Sequence, residues 1–74
     1  MARMKVNSLG RWEIYGGIDT AKHEVTSGEV IFVEVEGHNE LKPTRIEFAH
    51  DVRAYVSVDG YSLWDGMRAE VEAR

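Results

Sequence analysis

Apolar and polar residues alternate with a period of two along most of this 74-residue chain. In residues 11–15, Trp12 and Ile14 fall on one side of the alternation, and Arg11 and Glu13 fall on the other. Successive side chains of a β-strand point to opposite faces, so this pattern is typical of a strand with one buried face. The segment therefore predicts a half-buried strand that ends at the glycine pair of residues 16–17.

The strongest strand signal covers residues 29–36, where β-branched residues dominate. Ile31, Val33 and Val35 share one face, while the other face begins with Val30 and Phe32 and ends with two glutamates. The first half is thus apolar on both sides, as expected for a strand that enters a tightly curled sheet. A glycine-containing hairpin at residues 37–40 should follow.

The return strand is predicted over about residues 41–49, with Ile46 and Phe48 facing the core and Arg45 and Glu47 facing away. Pro43 has no N–H to donate, so it should occupy an edge or a bulge.

A further strand is predicted over residues 52–58, where Val52, Ala54, Val56 and Val58 alternate with three other residues. The opposite face is predicted to point outward and carries Arg53, Tyr55 and Ser57.

Two segments allow two interpretations each. Residues 18–23 have no clear period and fit a loop or a short strand. Residues 67–74 fit a strand with Met67, Ala69 and Val71 pointing inward, or a helix capped by Ser62 or Asp65. The strict alternation and Gly66 favour the strand.

Taken together, the segments predict one all-β domain over residues 1–74, built as a small five- to six-stranded antiparallel barrel or a strongly curled sheet. Closure would remove the exposed strand edges that so small a sheet could not otherwise protect. A domain of this size buries only about 60% of its unfolded surface, so we expect modest stability.

Composition narrows the classes of function. The chain has no cysteine, which excludes disulfides and thiolate metal sites, and its formal net charge of −4 disfavours binding to the phosphates of nucleic acid. No apolar run approaches the roughly 20 residues of a membrane span, and no signal peptide is recognised. We therefore expect a cytoplasmic protein without membrane association.

Several stretches between residues 25 and 71 also share a recognisable spacing: Ser27-Gly28-Glu29-Val30, Val33-x-Val35-x-Gly37, Pro43-Thr44-Arg45-Ile46-Glu47, Tyr55, Gly60, Leu63 and Gly66-Met67-Arg68. In these the chain resembles a family of small bacterial domains of unknown function, common in phage, plasmid and integrative-element genomes. The resemblance implies an SH3-like small β-barrel and no particular activity. The chain departs from the family's Gly-x-Trp-x-Pro hairpin, because Leu41 takes the Trp position and residues 38–40 lengthen the turn.

Arg45 and Glu47 form the first candidate site, since residues two apart on a strand share a face. Arg45 could orient a ligand as a planar fork for carboxylate or phosphate. The favoured interpretation is an exposed ion-pair network, in which Arg45 and Arg53 meet Glu34, Glu36 or Glu47 and each pair contributes about 0–1 kcal/mol.

Aromatic residues form the second candidate site. Tyr55, beside Arg53, could join Phe32 and Tyr15 in a surface that binds peptide or single-stranded nucleic acid by stacking. In the alternative, Tyr55 only covers Phe32 in a small second core. Trp12 and Trp64 are predicted to be core residues, with a surface role for Trp64 as the alternative.

Catalytic and metal chemistry have little support. The three histidines, His23, His38 and His50, are scattered over separate turns and lack the spacing of a zinc site. No phosphate-binding glycine loop or nucleophile motif occurs. We expect neither enzymatic activity nor a cofactor.

Three functions remain. The first is a protein-binding accessory module of a bacterium, phage or mobile element. The second is a nucleic-acid-associated barrel that uses Tyr55 with Arg45, Arg53 and Arg68. The third is an acidic inhibitor that occupies a partner's nucleic-acid groove through Glu34, Glu36, Glu47, Glu70 and Glu72. Interleaved charges on the surface would favour the first, and a homodimer is a further candidate.

Overall fold

The computed structural model describes residues 1–17 and 22–71 and contains seven short β-strands and no helix in these residues. The all-β prediction is confirmed, although the strands are more numerous and shorter than expected. They are β1 (Arg3–Val6), β2 (Trp12–Tyr15), β3 (His23–Glu24), β4 (Val30–Val33), β5 (Lys42–Ala49), β6 (Ala54–Ser57) and β7 (Ala69–Val71).

The strands form two antiparallel sheets, one of three strands in the order β1-β2-β3 and one of four strands in the order β6-β5-β4-β7. Main-chain hydrogen bonds join the sheets where β1 passes the segment before β7. The Met4 N–H donates to the Met67 carbonyl at 2.9 Å, and the Gly66 N–H donates to the Met4 carbonyl at 2.7 Å.

The described strands do not close into a barrel, so the predicted closed architecture is not confirmed. Strands of only two to four residues, such as β3 and β7, are too short to carry one continuous ladder around a barrel. At the open side, the Trp12 Nε1–H donates to the Tyr55 carbonyl at 3.0 Å and holds β2 against β6.

One apolar core lies between the sheets, and the alternation in the sequence accounts for most of it. Ile14, Ile31 and Ile46 point inward as predicted. The buried apolar residues are Ala2, Met4, Ile14, Val25, Ile31, Val33, Ile46, Met67 and Ala69.

The strand predicted over residues 29–36 ends early, at Val33. Residues 36–37 turn, with Gly37 in the left-handed region at φ 85°, and the His38 N–H donates to the Val35 carbonyl at 3.1 Å. Val35 still packs against the core, so the predicted inward face is correct even though the predicted strand is too long.

For residues 52–58 the period is right and the outward assignment of Tyr55 and Ser57 is wrong. Ser57 lies opposite buried Ile46 and is itself buried, and Tyr55 packs against the core. Val58 is 49% exposed. The register with β5 fixes these faces, because residues opposite each other in a ladder point to the same side of the sheet.

Pro43 occupies an edge position, as expected. The Ile46 N–H and carbonyl both bond toward residues 28–29, and the Arg45 carbonyl bonds toward Val58. Main-chain groups alternate sides along a strand, so the Pro43 nitrogen points to the β6 side of β5. β6 does not extend as far as Pro43, so no ladder hydrogen bond is lost there.

The strand interpretation of the C-terminal segment is confirmed at Ala69–Val71, with Met67 and Ala69 buried. The predictions for residues 18–21 and for residues 72–74, Glu72 among them, lie outside the described residues.

Candidate functional site

The outer face of the four-stranded sheet is the side turned away from the core. The register sets its rows: Glu70 and Pro43 flank Phe32, and Val30 and Val58 flank Arg45. We define the outer face by the residues in these rows and their in-phase neighbours, which are Val30, Phe32, Pro43, Arg45, Glu47, Val56, Val58, Arg68 and Glu70.

Apolar side chains lie on both sides of Arg45 on the outer face. Val30 and Val58 are both exposed, and Phe32 is half-buried between Pro43 and Glu70. Single exposed apolar residues are common on proteins, but here Val30, Phe32 and Pro43 are neighbours on β4 and β5, and Val58 lies on the other side of Arg45 from Val30.

Charges of both signs lie between and beside these apolar residues. Arg45 Nε lies 3.1 Å from Glu47 Oε2, and the Ser27 hydroxyl donates to Glu47 Oε1 at 2.9 Å. This ion pair therefore joins two residues of the same strand, β5, and does not link neighbouring strands. In the part of the chain that the structure describes, Arg45 makes no ion pair with Glu34 or Glu36.

Arg68 lies at the β7 side of the outer face, between buried Met67 and Ala69. Its N–H donates to Glu34 Oε1 at 2.9 Å, and the Glu34 N–H donates to the Arg68 carbonyl at 3.1 Å. The Nε of Arg68 is buried and has no hydrogen-bond partner within residues 1–17 and 22–71.

The structure places four of the seven predicted binding residues on the outer face, namely Phe32, Arg45, Glu47 and Arg68. Tyr55 instead lies on the core side, where its ring meets Phe48 edge-on at 5.0 Å. Arg53 lies in the turn between β5 and β6, with φ 56°.

Tyr15 belongs to the other sheet, and Lys5 lies over its ring at 5.2 Å. The predicted surface of Tyr55, Arg53, Phe32 and Tyr15 is therefore not assembled, because these side chains belong to different faces and sheets.

A groove forms a second region, on the loop after β6. Its cavity has a volume of about 520 Å³. We call it the Trp64 groove and define it by Glu34, Val35, Glu36, Gly60, Tyr61, Ser62 and Trp64.

The two aromatic residues of the Trp64 groove differ in exposure. Trp64 is 44% exposed, so its prediction as a core residue is wrong, whereas Tyr61 packs against the core. The main-chain N–H of Trp64 donates to the Met67 sulfur at 3.1 Å, which fixes the loop to the core.

Sequence reasoning missed Val35, Tyr61 and Ser62 as members of a groove. No local motif marks them, because the groove joins two segments about 25 residues apart that meet only in the folded chain. The only local sign of these segments in the sequence is a turn glycine beside each of them, Gly37 and Gly60, and both have a positive φ.

The histidines lie in separate places. His23 contacts Glu29, and His50 meets the Phe48 ring edge-on at 4.9 Å. Within the described ranges, no group of three His, Asp or Glu side chains is placed to hold a metal ion. In the same residues, no helix is long and apolar enough to cross a membrane.

No family model, no curated protein and no solved structure matches this chain. The family resemblance in the sequence therefore stays a prediction, and any assignment of function has to come from the two surfaces themselves.

Proposed function

We propose that this chain is a non-catalytic protein-binding module, and that it binds its partner through the outer face of the four-stranded sheet. The observation that carries the proposal is that apolar Val30, Phe32 and Val58 share one sheet face with Arg45 and other charged residues of both signs. Protein interfaces commonly combine an apolar centre with a polar rim, and arginine and aromatic residues are enriched in them.

Interleaved charges favour a protein over the two other classes of partner. Arg45 is already paired with Glu47, and Arg68 lies across the sheet from it, so the arginines do not form a track for phosphates. The carboxylates of Glu47 and Glu70 alternate with these arginines, which gives less support to a continuous acidic surface that imitates nucleic acid.

We propose the same biological context as the sequence predicts. The module would be an accessory protein of a bacterium, phage or mobile element, acting in the cytoplasm on a protein of the host or of the element. The family resemblance and the small all-β fold support an SH3-like architecture for it. Neither supports a catalytic role, since fold and function are separable.

The test compares two exposed valines. Val58 lies on the outer face, whereas Val52, 60% exposed, lies in the turn between β5 and β6. The tagged chain and its Val58→Asp and Val52→Asp variants are used to capture proteins from source lysate with and without nuclease treatment. The captured protein is then purified for titration.

We expect Val58→Asp to weaken affinity for that protein about tenfold or more, because it replaces an exposed apolar side chain of the proposed contact surface with a charge. Arg45→Ala should also weaken affinity, and Val52→Asp should leave it unchanged. Equal effects of the two valine variants would contradict the proposal. Capture that nuclease abolishes would support a nucleic-acid partner instead, and a concentration-dependent dimer would identify the partner as a second copy.

A further inference from the structure

We propose that the Trp64 groove is a separate binding site for a cationic side chain, the ammonium of a lysine or the guanidinium of an arginine, presented by an extended peptide. The site does not depend on the outer face, and neither proposal requires the other. Two glutamates and two aromatic residues line one cavity, and this combination carries the assignment.

The carboxylates come from residues on either side of Val35. Glu34 and Glu36 both line the groove, and in the described part of the chain neither forms an ion pair with a lysine, arginine or histidine. One oxygen of Glu34 accepts the Arg68 main-chain N–H, which orients the carboxylate and leaves its charge uncompensated by that contact.

The aromatic rings come from the loop between β6 and β7. Tyr61 is half-buried and fixed against the core, while Trp64 is partly open to solvent. A cation within about 6 Å of the face of such a ring is attracted by its quadrupole, and tryptophan is the strongest of the aromatic partners. A carboxylate beside the ring strengthens the preference for positive charge.

The size of the groove selects the ligand class. A cavity of about 520 Å³ accommodates a long side chain with its apolar stem, and Val35 supplies an apolar surface for that stem. The two formal negative charges of Glu34 and Glu36 repel an anion, and they favour a cationic group over an uncharged apolar one. The groove is partly open to solvent, so a side chain presented by a peptide can enter it.

The test follows the two indole N–H signals of the chain by NMR, since the sequence has two tryptophans. Three blocked tripeptides are titrated at constant ionic strength: Ac-Gly-Lys-Gly-NH2, Ac-Gly-Arg-Gly-NH2 and the acetyl-lysine form of the first. Tetramethylammonium chloride is a fourth ligand that carries the cation without a peptide. Trp64→Phe assigns the two signals.

We expect the Trp64 indole signal to shift and saturate with the lysine or arginine peptide, and the Trp12 signal to stay in place. Glu36→Gln should weaken this binding about fivefold or more, and Trp64→Leu by a similar factor. Glu47→Gln, which removes a charge from the outer face, is the matched control and should leave it unchanged. The amide spectrum of each variant shows whether it is folded.

Three results would overturn the assignment. Equal binding of the acetyl-lysine peptide would show that the groove does not select charge. Unchanged affinity in Glu36→Gln would show that the Glu36 carboxylate does not contribute to cation binding. Binding of tetramethylammonium with no binding of either cationic peptide would assign the groove to a small quaternary amine. Val58→Asp should keep the groove's affinity, so failure of the outer-face proposal leaves this test intact.

Discussion

The two faces of the four-stranded sheet each depart from the usual distribution of polar and apolar residues, in opposite directions. On the inner side, the hydroxyl of buried Thr44 contacts that of buried Ser57 at 2.6 Å and donates to Asp59 Oδ2 at 2.7 Å. On the outer side, Val30 and Val58 are exposed. The buried hydroxyls of the inner face are therefore hydrogen-bonded, whereas the valines of the outer face are exposed because the strand register places them on the side away from the core.

The buried hydroxyls also organise the turn after β6. Besides its contact with Thr44, Ser57 Oγ accepts the Asp59 N–H at 3.2 Å and lies 3.4 Å from the Tyr61 nitrogen. A buried hydroxyl without a partner costs free energy, whereas this one has several. The inner face thus fixes the loop that leads to Tyr61 and Trp64.

The largest expected effect is on the apolar part of the inner face. Ile46→Ala removes a fully buried side chain at the centre of β5, and we expect it to lower the free energy of unfolding by about 2–5 kcal/mol. Val58→Ala, on the outer face, should lower it by about 0.5 kcal/mol or less. Urea denaturation of both variants measures the difference. Comparable losses would show that the outer face is covered in solution.

The next effect concerns the buried hydroxyls. Thr44→Val and Ser57→Ala should each cost about 1–3 kcal/mol, because each removes a partner from a buried polar group. The double variant should cost less than the sum of the two, with a coupling free energy of about 0.5 kcal/mol or more in a double-mutant cycle. Strict additivity would mean that the 2.6 Å contact adds nothing to stability.

The smallest effect concerns the outer ion pair. Arg45 and Glu47 have side chains that are 56% and 41% exposed, so water and salt screen their attraction. We expect Glu47→Gln to change the free energy of unfolding by about 0–1 kcal/mol, with less change at 1 M salt. Thermal unfolding at two salt concentrations measures it. A loss above this range at both concentrations would give the outer pair a structural role.

Much of the inner face could be predicted from the sequence. Ile14, Ile31 and Ile46 are apolar residues in clear alternation, and all three are buried. For such residues, burial of apolar surface fixes the strand and its face together. The return strand was predicted to within one residue for the same reason.

The faces of β6 could not be predicted in this way. Valines alternate with Tyr55 and Ser57, and local apolar content favours the valines as the inner residues. The register with β5 reverses this, because Ser57 lies opposite Ile46 and finds hydrogen-bond partners across the sheet. Hydrogen bonds between residues 13 or more positions apart leave no local pattern in the sequence.

The candidate site was predicted only in part. Arg45 and Glu47 were expected on one outward face because they are two apart on a strand, and they form an ion pair there. The Trp64 groove was not expected, since its walls come from separate turns whose approach depends on the whole fold.

The bonding of β1 to the segment before β7 has a consequence for biosynthesis. Arg3 and its hydrogen-bond partner Gly66 are 63 residues apart in sequence. At 5–20 residues per second, a ribosome needs roughly 3–12 s to reach the partner after completing β1. During that interval the outer edge of β1 has no partner within the chain, and an unpaired strand edge is a place where other chains can pair.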